Sequence, residues 1–225
     1  ENMTQLQLAR QNIITQEMKH VAMDEDLDPE YIRERIADGK VVIPANHKRK
    51  ATKICGIGAG LRTKVNANIG TSADYPDVEN EMEKLRAAEE AGADAVMDLS
   101  TGGDLRAIRK KIIGSASIAV GSVPIYEAAV KTVQHKHAIV DMTATDMLEA
   151  IRLHCEDGVD FITVHCGATK GVLKHLKESK RICGVVSRGG TFLVEWMIHS
   201  GKENPLYEEY DEILENEKEY DVTIS

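Results

Sequence analysis

The stretch Glu90-Ala-Gly-Ala-Asp-Ala-Val-Met-Asp-Leu-Ser-Thr-Gly-Gly-Asp104 constrains the fold more than any other part of the chain. Gly92 ends a helix, and the short apolar run from Ala93 to Leu99 reads as a buried strand. Gly102-Gly103 turns the backbone, and Asp104 caps a helix whose Leu105, Ile108 and Ile112 share one face. The same order returns 66 positions later, where Gly158-Val-Asp160-Phe-Ile-Thr echoes Gly92-Ala-Asp94-Ala-Val-Met and leads into His165-Cys-Gly167. Repeated units of this kind build parallel sheets covered on both faces, with chemistry where the chain leaves each strand. The expected class is α/β, a (β/α)8 barrel first and a doubly wound sheet second.

Charge and cysteine usage narrow the function. A net charge of −9 argues against a nucleic-acid binder that works by neutralising phosphates. No apolar run reaches the length of a membrane span, so the expectation is a soluble protein of the cytosol or an organelle matrix, cytoplasmic as first choice, without a membrane partner. The four cysteines, Cys55, Cys155, Cys166 and Cys183, show no zinc or iron–sulfur spacing and read as reduced core thiols. Only Cys166, beside His165, merits a functional look.

Residues 1–60 do not follow the repeating rhythm and read as a small α+β lead-in. Thr15 and Asp28 cap helices, Val41-Val-Ile43 is a short strand, and the basic run His47-Lys-Arg-Lys50 reads as a solvated loop. Gly56-Ile-Gly-Ala-Gly60 lacks the spacing of a nucleotide-binding loop. Residues 61–225 carry the barrel units. In Thr63-Lys-Val-Asn-Ala-Asn-Ile69, polar and apolar residues alternate; Lys64 reads as solvated, Asn66 as bonded to backbone, and Asn68 as the ligand candidate at the strand end. Further strands are expected at 118–123, 159–165, 181–187 and 222–224, with helices opened by Asp77, Thr143, Thr169 and Pro205. His135-Lys-His137 reads as a surface loop.

Met97, Tyr126 and His165 stand at or just past strand exits. Tyr126 is either a rim aromatic or a hydroxyl donor, and His165 either lines the pocket or is satisfied by backbone. In Ser187-Arg188-Gly189-Gly190 a hydroxyl, a guanidinium and two glycines meet just before a helix, which favours an anion such as phosphate over a plain tight turn. Six strands are expected where a closed barrel has eight. The chain therefore reads as a partial barrel, completed by other residues or by another copy.

Val65-Asn-Ala-Asn-Ile-Gly-Thr-Ser72, Gly92 through Asp104, Thr163-Val-His-Cys-Gly167 and Val186-Ser-Arg-Gly-Gly190 together resemble the phosphomethylpyrimidine synthase family of thiamine biosynthesis, over essentially the whole chain. The resemblance implies a radical lyase that converts 5-aminoimidazole ribonucleotide to hydroxymethylpyrimidine phosphate with S-adenosylmethionine and a [4Fe–4S] cluster, with zinc also bound and a homodimeric assembly. By motif it places substrate contacts on Asn68, Met97, Tyr126, His165, Ser187, Arg188 and Gly189. The family's Asp-Gly-Leu-Arg turn, a further glutamate, two metal-binding histidines and a three-cysteine motif are not among these residues. The expectation is an N-terminal half that neither binds the cluster nor reacts alone. Glu215-Asn-Glu-Lys-Glu219 also departs from the more apolar, cysteine-containing helix of the family. The paralogue making 5-hydroxybenzimidazole uses the same ribotide and is the runner-up; Asn-Ala-Asn68 and Met-Asp-Leu-Ser100 favour the thiamine enzyme. A non-catalytic ribotide-binding module is the third reading.

Overall fold

Short polar side chains start most of the helices in the computed structural model, which describes residues 3–136 and 138–225. Thr4, Thr15 and Asp28 cap α1 (Gln5–Arg10), α2 (Gln16–Glu25) and α3 (Pro29–Ala37); α1 is a helix the sequence reading did not anticipate. The strand β1 (Val41–Val42) pairs antiparallel with β2 (Ile57–Gly58). Gly58 is required there, because a Cβ would lie 2.1 Å from the Lys40 carbonyl oxygen at a φ of +149°. Ala9, Met18, Val21, Ile32, Ile36 and Val41 form a small core within this N-terminal region.

Five strands then form one parallel sheet in sequential order: β3 (Asn66–Ile69), β4 (Ala95–Asp98), β5 (Ala119–Ser122), β6 (Phe161–Ile162) and β7 (Thr223–Ile224). Between them run α4 (Val78–Glu90), α5 (Leu105–Ser115), α6 (Pro124–Lys136), α7 (Ala144–Asp157), α8 (Lys170–Glu178), α9 (Arg188–Ser200), α10 (Pro205–Glu208) and α11 (Tyr210–Tyr220). One face of the sheet sends Ile69, Val96 and Val120 against Met82 and Leu85 of α4 and Ile108 and Ile112 of α5. Each such side chain contributes roughly 1.5–3 kcal/mol when fully buried. The other face carries Asn66, Asn68, Ala95, Met97, Ala119 and Phe161. Phe161 lies across Gly121, where a Cβ would come within 2.1 Å of the ring, so Gly121→Ala displaces that ring.

The echoed Gly-x-Asp is a register clamp. Asp94 accepts from the Val65 amide at 2.8 Å and pairs with Arg62. Asp160 accepts from the Val120 amide at 2.8 Å and the Asn46 amide at 3.1 Å, and pairs with Arg49. Each aspartate thus ties the start of its strand to the strand before it and to the N-terminal region. The basic run is therefore not simply solvated: the Arg49 guanidinium is buried and also donates to the carbonyls of Ala116 at 2.6 Å and Ile118 at 2.8 Å. Lys64 is likewise not solvated, since it is buried against Glu25.

Helices α5, α6 and α7 share a second buried network. Arg109 pairs with Glu127 and Asp157, and the His154 ring lies 2.8 Å from Glu127 and 2.7 Å from the Ser122 hydroxyl. Burial pushes His154 down to about 4, so it is a neutral hydrogen-bonding element at physiological pH.

The sheet departs from expectation in two places and the helices in one. Residues 181–187 form no strand, and Ile182 and Val186 are exposed. The free edge of β6 is taken instead by β7, through Thr223 N to Asp160 O at 3.0 Å and Ser225 N to Ile162 O at 2.8 Å. A strand-prone run without a ladder partner stays irregular, so five strands are observed where six were expected. The strand expected over 159–165 is ordered as a ladder only at Phe161–Ile162, and the helix opened by Pro205 breaks at Glu209.

Candidate functional site

The chain leaves β4 through a turn that consumes its own polar groups. Ser100 donates its amide to Asp98 at 2.9 Å, and its hydroxyl accepts from the Thr71 amide at 3.1 Å. On the open face beside it, Asn68 and Met97 are register partners on β3 and β4. Asn68 is exposed and accepts from the Asn66 side chain at 3.1 Å, so Asn66 bonds to its neighbour rather than to backbone. Met97 lines a cavity of about 470 Å³ between the sheet and the β1–β2 ribbon.

The other candidates gather around the start of α9. Ser187 caps the helix through its hydroxyl, which accepts from the Gly190 amide at 3.1 Å. The amides of Arg188 and Gly189, in the first turn, have no acceptor among the described residues. The exposed Arg188 guanidinium forms no ion pair there either; it stacks 5.1 Å above the Tyr126 ring. Tyr126 sits in the first turn of α6 and meets Phe192 of α9 edge-on, 6.2 Å between centroids. This is a cation–π arrangement, and it leaves the guanidinium's edge N–H groups free. Phe192 was not among the sequence candidates; an aromatic at the fifth position of a helix carries no local signal that it will seat another ring.

His165 lies three residues beyond β6 and packs against Gly189, where a Cβ would fall 2.4 Å from the imidazole Cε1. Its Nδ1 is buried without a partner among the described residues, and burial alone pushes its pKa below the usual imidazole value. His165 and Ser187 line a cavity of about 460 Å³ walled by Leu173, Leu176 and Val194. The structure therefore brings Tyr126, His165, Ser187, Arg188 and Gly189 together, and separately pairs Asn68 with Met97 on the sheet. Of the histidines in the 135–137 run, His137 lies outside the described residues.

A family model described as the radical SAM ThiC family matches residues 4–225. The chain belongs to that family. Phosphomethylpyrimidine synthases from Desulforamulus reducens and Dehalococcoides mccartyi are each 53% identical over 223 residues, covering 99% of this chain and 52% of those proteins. The enzyme of that name from Moorella thermoacetica is 51% identical over the same length. The chain spans about half the length of the curated relatives it matches.

The residues present do not fit the iron–sulfur cluster that the family's radical S-adenosylmethionine chemistry implies. Cys55 and Cys155 are buried, with thiols pushed up by burial to about 11 and about 12, far from the thiolate a metal needs. Cys166 is half-buried and Cys183 exposed, and no three metal-ligating side chains converge among the described residues. The same holds for a zinc site.

Proposed function

We propose that this chain supplies the ribonucleotide-binding part of a phosphomethylpyrimidine synthase, the enzyme that turns 5-aminoimidazole ribonucleotide into hydroxymethylpyrimidine phosphate. The observation that carries the reading is the start of α9: two unspent amides, a helix dipole and an unpaired Arg188 converge beside His165, whose Nδ1 has no partner among the described residues. Helix α9 is 13 residues long, enough for its N-terminal amides and dipole to favour an anion. The phosphate sits on the Arg188 and Gly189 amides and takes the Arg188 fork, with Ser187 holding the turn in shape. His165 and Tyr126 hydrogen-bond the ribose or imidazole, Asn68 does so from the sheet, and Met97 packs on the substrate.

A (β/α)8 barrel is the proposed architecture. Sequential parallel order, without the reversal of a doubly wound sheet, supports it. In this proposal residues 1–60 form the lead-in and 61–225 the first part of the barrel. S-adenosylmethionine, the [4Fe–4S] cluster and zinc belong to the whole protein rather than to these residues, and its proposed state is a cytoplasmic homodimer.

The test is binding to the full-length protein. A charge-assisted bidentate contact is worth about 1.5–3 kcal/mol, or roughly 10- to 150-fold in affinity. Calorimetry with Arg188→Ala should show that loss for the ribonucleotide and almost none for the unphosphorylated riboside. Arg188→Lys should recover only part of it, because a point charge does not copy the fork. Equal losses for both ligands would sink the phosphate assignment.

A further inference from the structure

The orientation of the His165 ring is set by contact rather than by a hydrogen bond. Its Nδ1 has no partner among the described residues, and one side of the ring rests on the bare backbone of Gly189. A ring held this way is only as well placed as the backbone that carries it. That backbone is fastened from the connector between α9 and α10. Asn204 is fully buried there, and its side-chain amide donates to the carbonyls of His165 at 2.9 Å and Ala168 at 3.0 Å. Its Oδ1 accepts from the Leu206 amide at 3.0 Å and caps α10. The neighbouring Glu203 carboxylate takes the Lys170 amide at 2.9 Å, and the Lys170 ammonium donates to the Gly201 carbonyl.

Every hydrogen-bonding group of the Asn204 amide is thus used, two of them on the turn that presents His165. A buried amide satisfied in this way is costly to disturb and specifies one geometry. The start of α9 touches the His165 ring, and the connector after its end holds the His165 carbonyl. We infer that Asn204 is the positioning residue for His165: it locks the 165–168 turn so that the imidazole stays seated on Gly189. That His165 meets a ribonucleotide rests on the reading above; that Asn204 places it does not.

Two variants of the full-length protein separate positioning from folding. Asn204→Ser keeps a competent helix cap for α10 but is too short to reach both carbonyls. Asn204→Asp keeps the acceptor for Leu206 and loses both donors, and serves if the serine variant does not fold. The first readout is deuterium exchange at the imidazole C2 position, resolved by mass spectrometry, with the exposed His47 and His199 as internal controls. His165 should exchange about tenfold faster in either variant while the controls hold, and affinity for 5-aminoimidazole ribonucleotide should fall about tenfold, the equivalent of about 1.4 kcal/mol. Unchanged exchange at His165 alongside a lowered melting temperature would make Asn204 a purely structural cap and overturn the inference. Absence of ribonucleotide binding in the unsubstituted protein would overturn the ribotide reading alone, and the exchange measurement would still decide the role of Asn204.

Discussion

Asp160 and Arg49, where β6 begins, are 1% and 6% exposed and use every obvious partner: two backbone amides for the carboxylate, three carbonyls for the guanidinium. Arg188, at the start of α9, is exposed, forms no ion pair among the described residues and rests on an aromatic face. Both are arginines near loops, yet one is consumed by the fold and the other is left available. The difference teaches where to look for function. At the strand starts polar groups close the sheet onto the N-terminal region, and beyond β6 they are held in place but unspent. In parallel α/β sheets generally, ligands bind outside the carboxyl ends of the strands.

The sharpest test of that contrast removes Arg49. Arg49→Ala leaves Asp160 buried without its counter-charge, and should cost about 3–5 kcal/mol in denaturant unfolding. A loss below about 1 kcal/mol would mean that the two amides on Asp160 suffice and that the clamp is not ionic.

Glu217 on α11, close to the start of β7, is the exception at the consumed end. It is buried, its Oε1 has no partner among the described residues, and burial pushes its pKa up to about 8. A carboxyl whose folded value lies above its unfolded value favours the fold at low pH and loses that contribution as pH rises towards 8. Glu217→Leu should therefore stabilise the protein by about 3 kcal/mol near pH 8 and by little near pH 5, read as the difference in melting curves across that range. A pH-independent gain would show that Glu217 does not titrate across this range in the folded protein and that burial does not raise its pKa. Within Glu215-Asn-Glu-Lys-Glu219, Glu217 takes a core-facing position of an amphipathic helix, and nothing in the structure explains why a glutamate stands there.

Smaller effects sharpen the other side. Ser187→Ala removes the α9 cap and should cost about 1 kcal/mol of stability while weakening ribonucleotide binding through the loosened turn. Arg62→Ala should be the mildest, about 0.2–1 kcal/mol, because Arg62 is 49% exposed although its partner Asp94 is buried. Arg62 and Arg49 perform the same clamp in the two echoed units, so their unequal cost measures burial directly. Equal costs would remove burial as the explanation.

Most of the candidate site was legible because strand exits and helix starts have local signatures. Ser187 caps its helix, Arg188 and Gly189 occupy the first turn, and His165 packs on Gly189. Asn204 and Phe192 were not legible, since each acts on a turn or ring that lies far from it in sequence. The residues 181–187 misled for a related reason. Their composition is that of a strand, but a strand needs an edge, and β7 occupies the one beside β6.

The sequence by itself determined the starts of the helices and the faces they bury. Thr15, Asp28, Asp77, Asp104, Thr143 and Thr169 all start their helices as read, because each hydroxyl or carboxylate bonds an amide two or three residues away, whereas Ser187 was read as a phosphate contact ahead of the helix and proves to be its cap. The tertiary structure decided the fate of the charges. Arg49 and Asp160 are 111 positions apart, and Lys64 and Glu25 are 39 apart. Nothing local distinguishes a lysine or arginine that will be buried against a distant carboxylate from one that water will keep, since the gain appears only once the fold has removed the water from both.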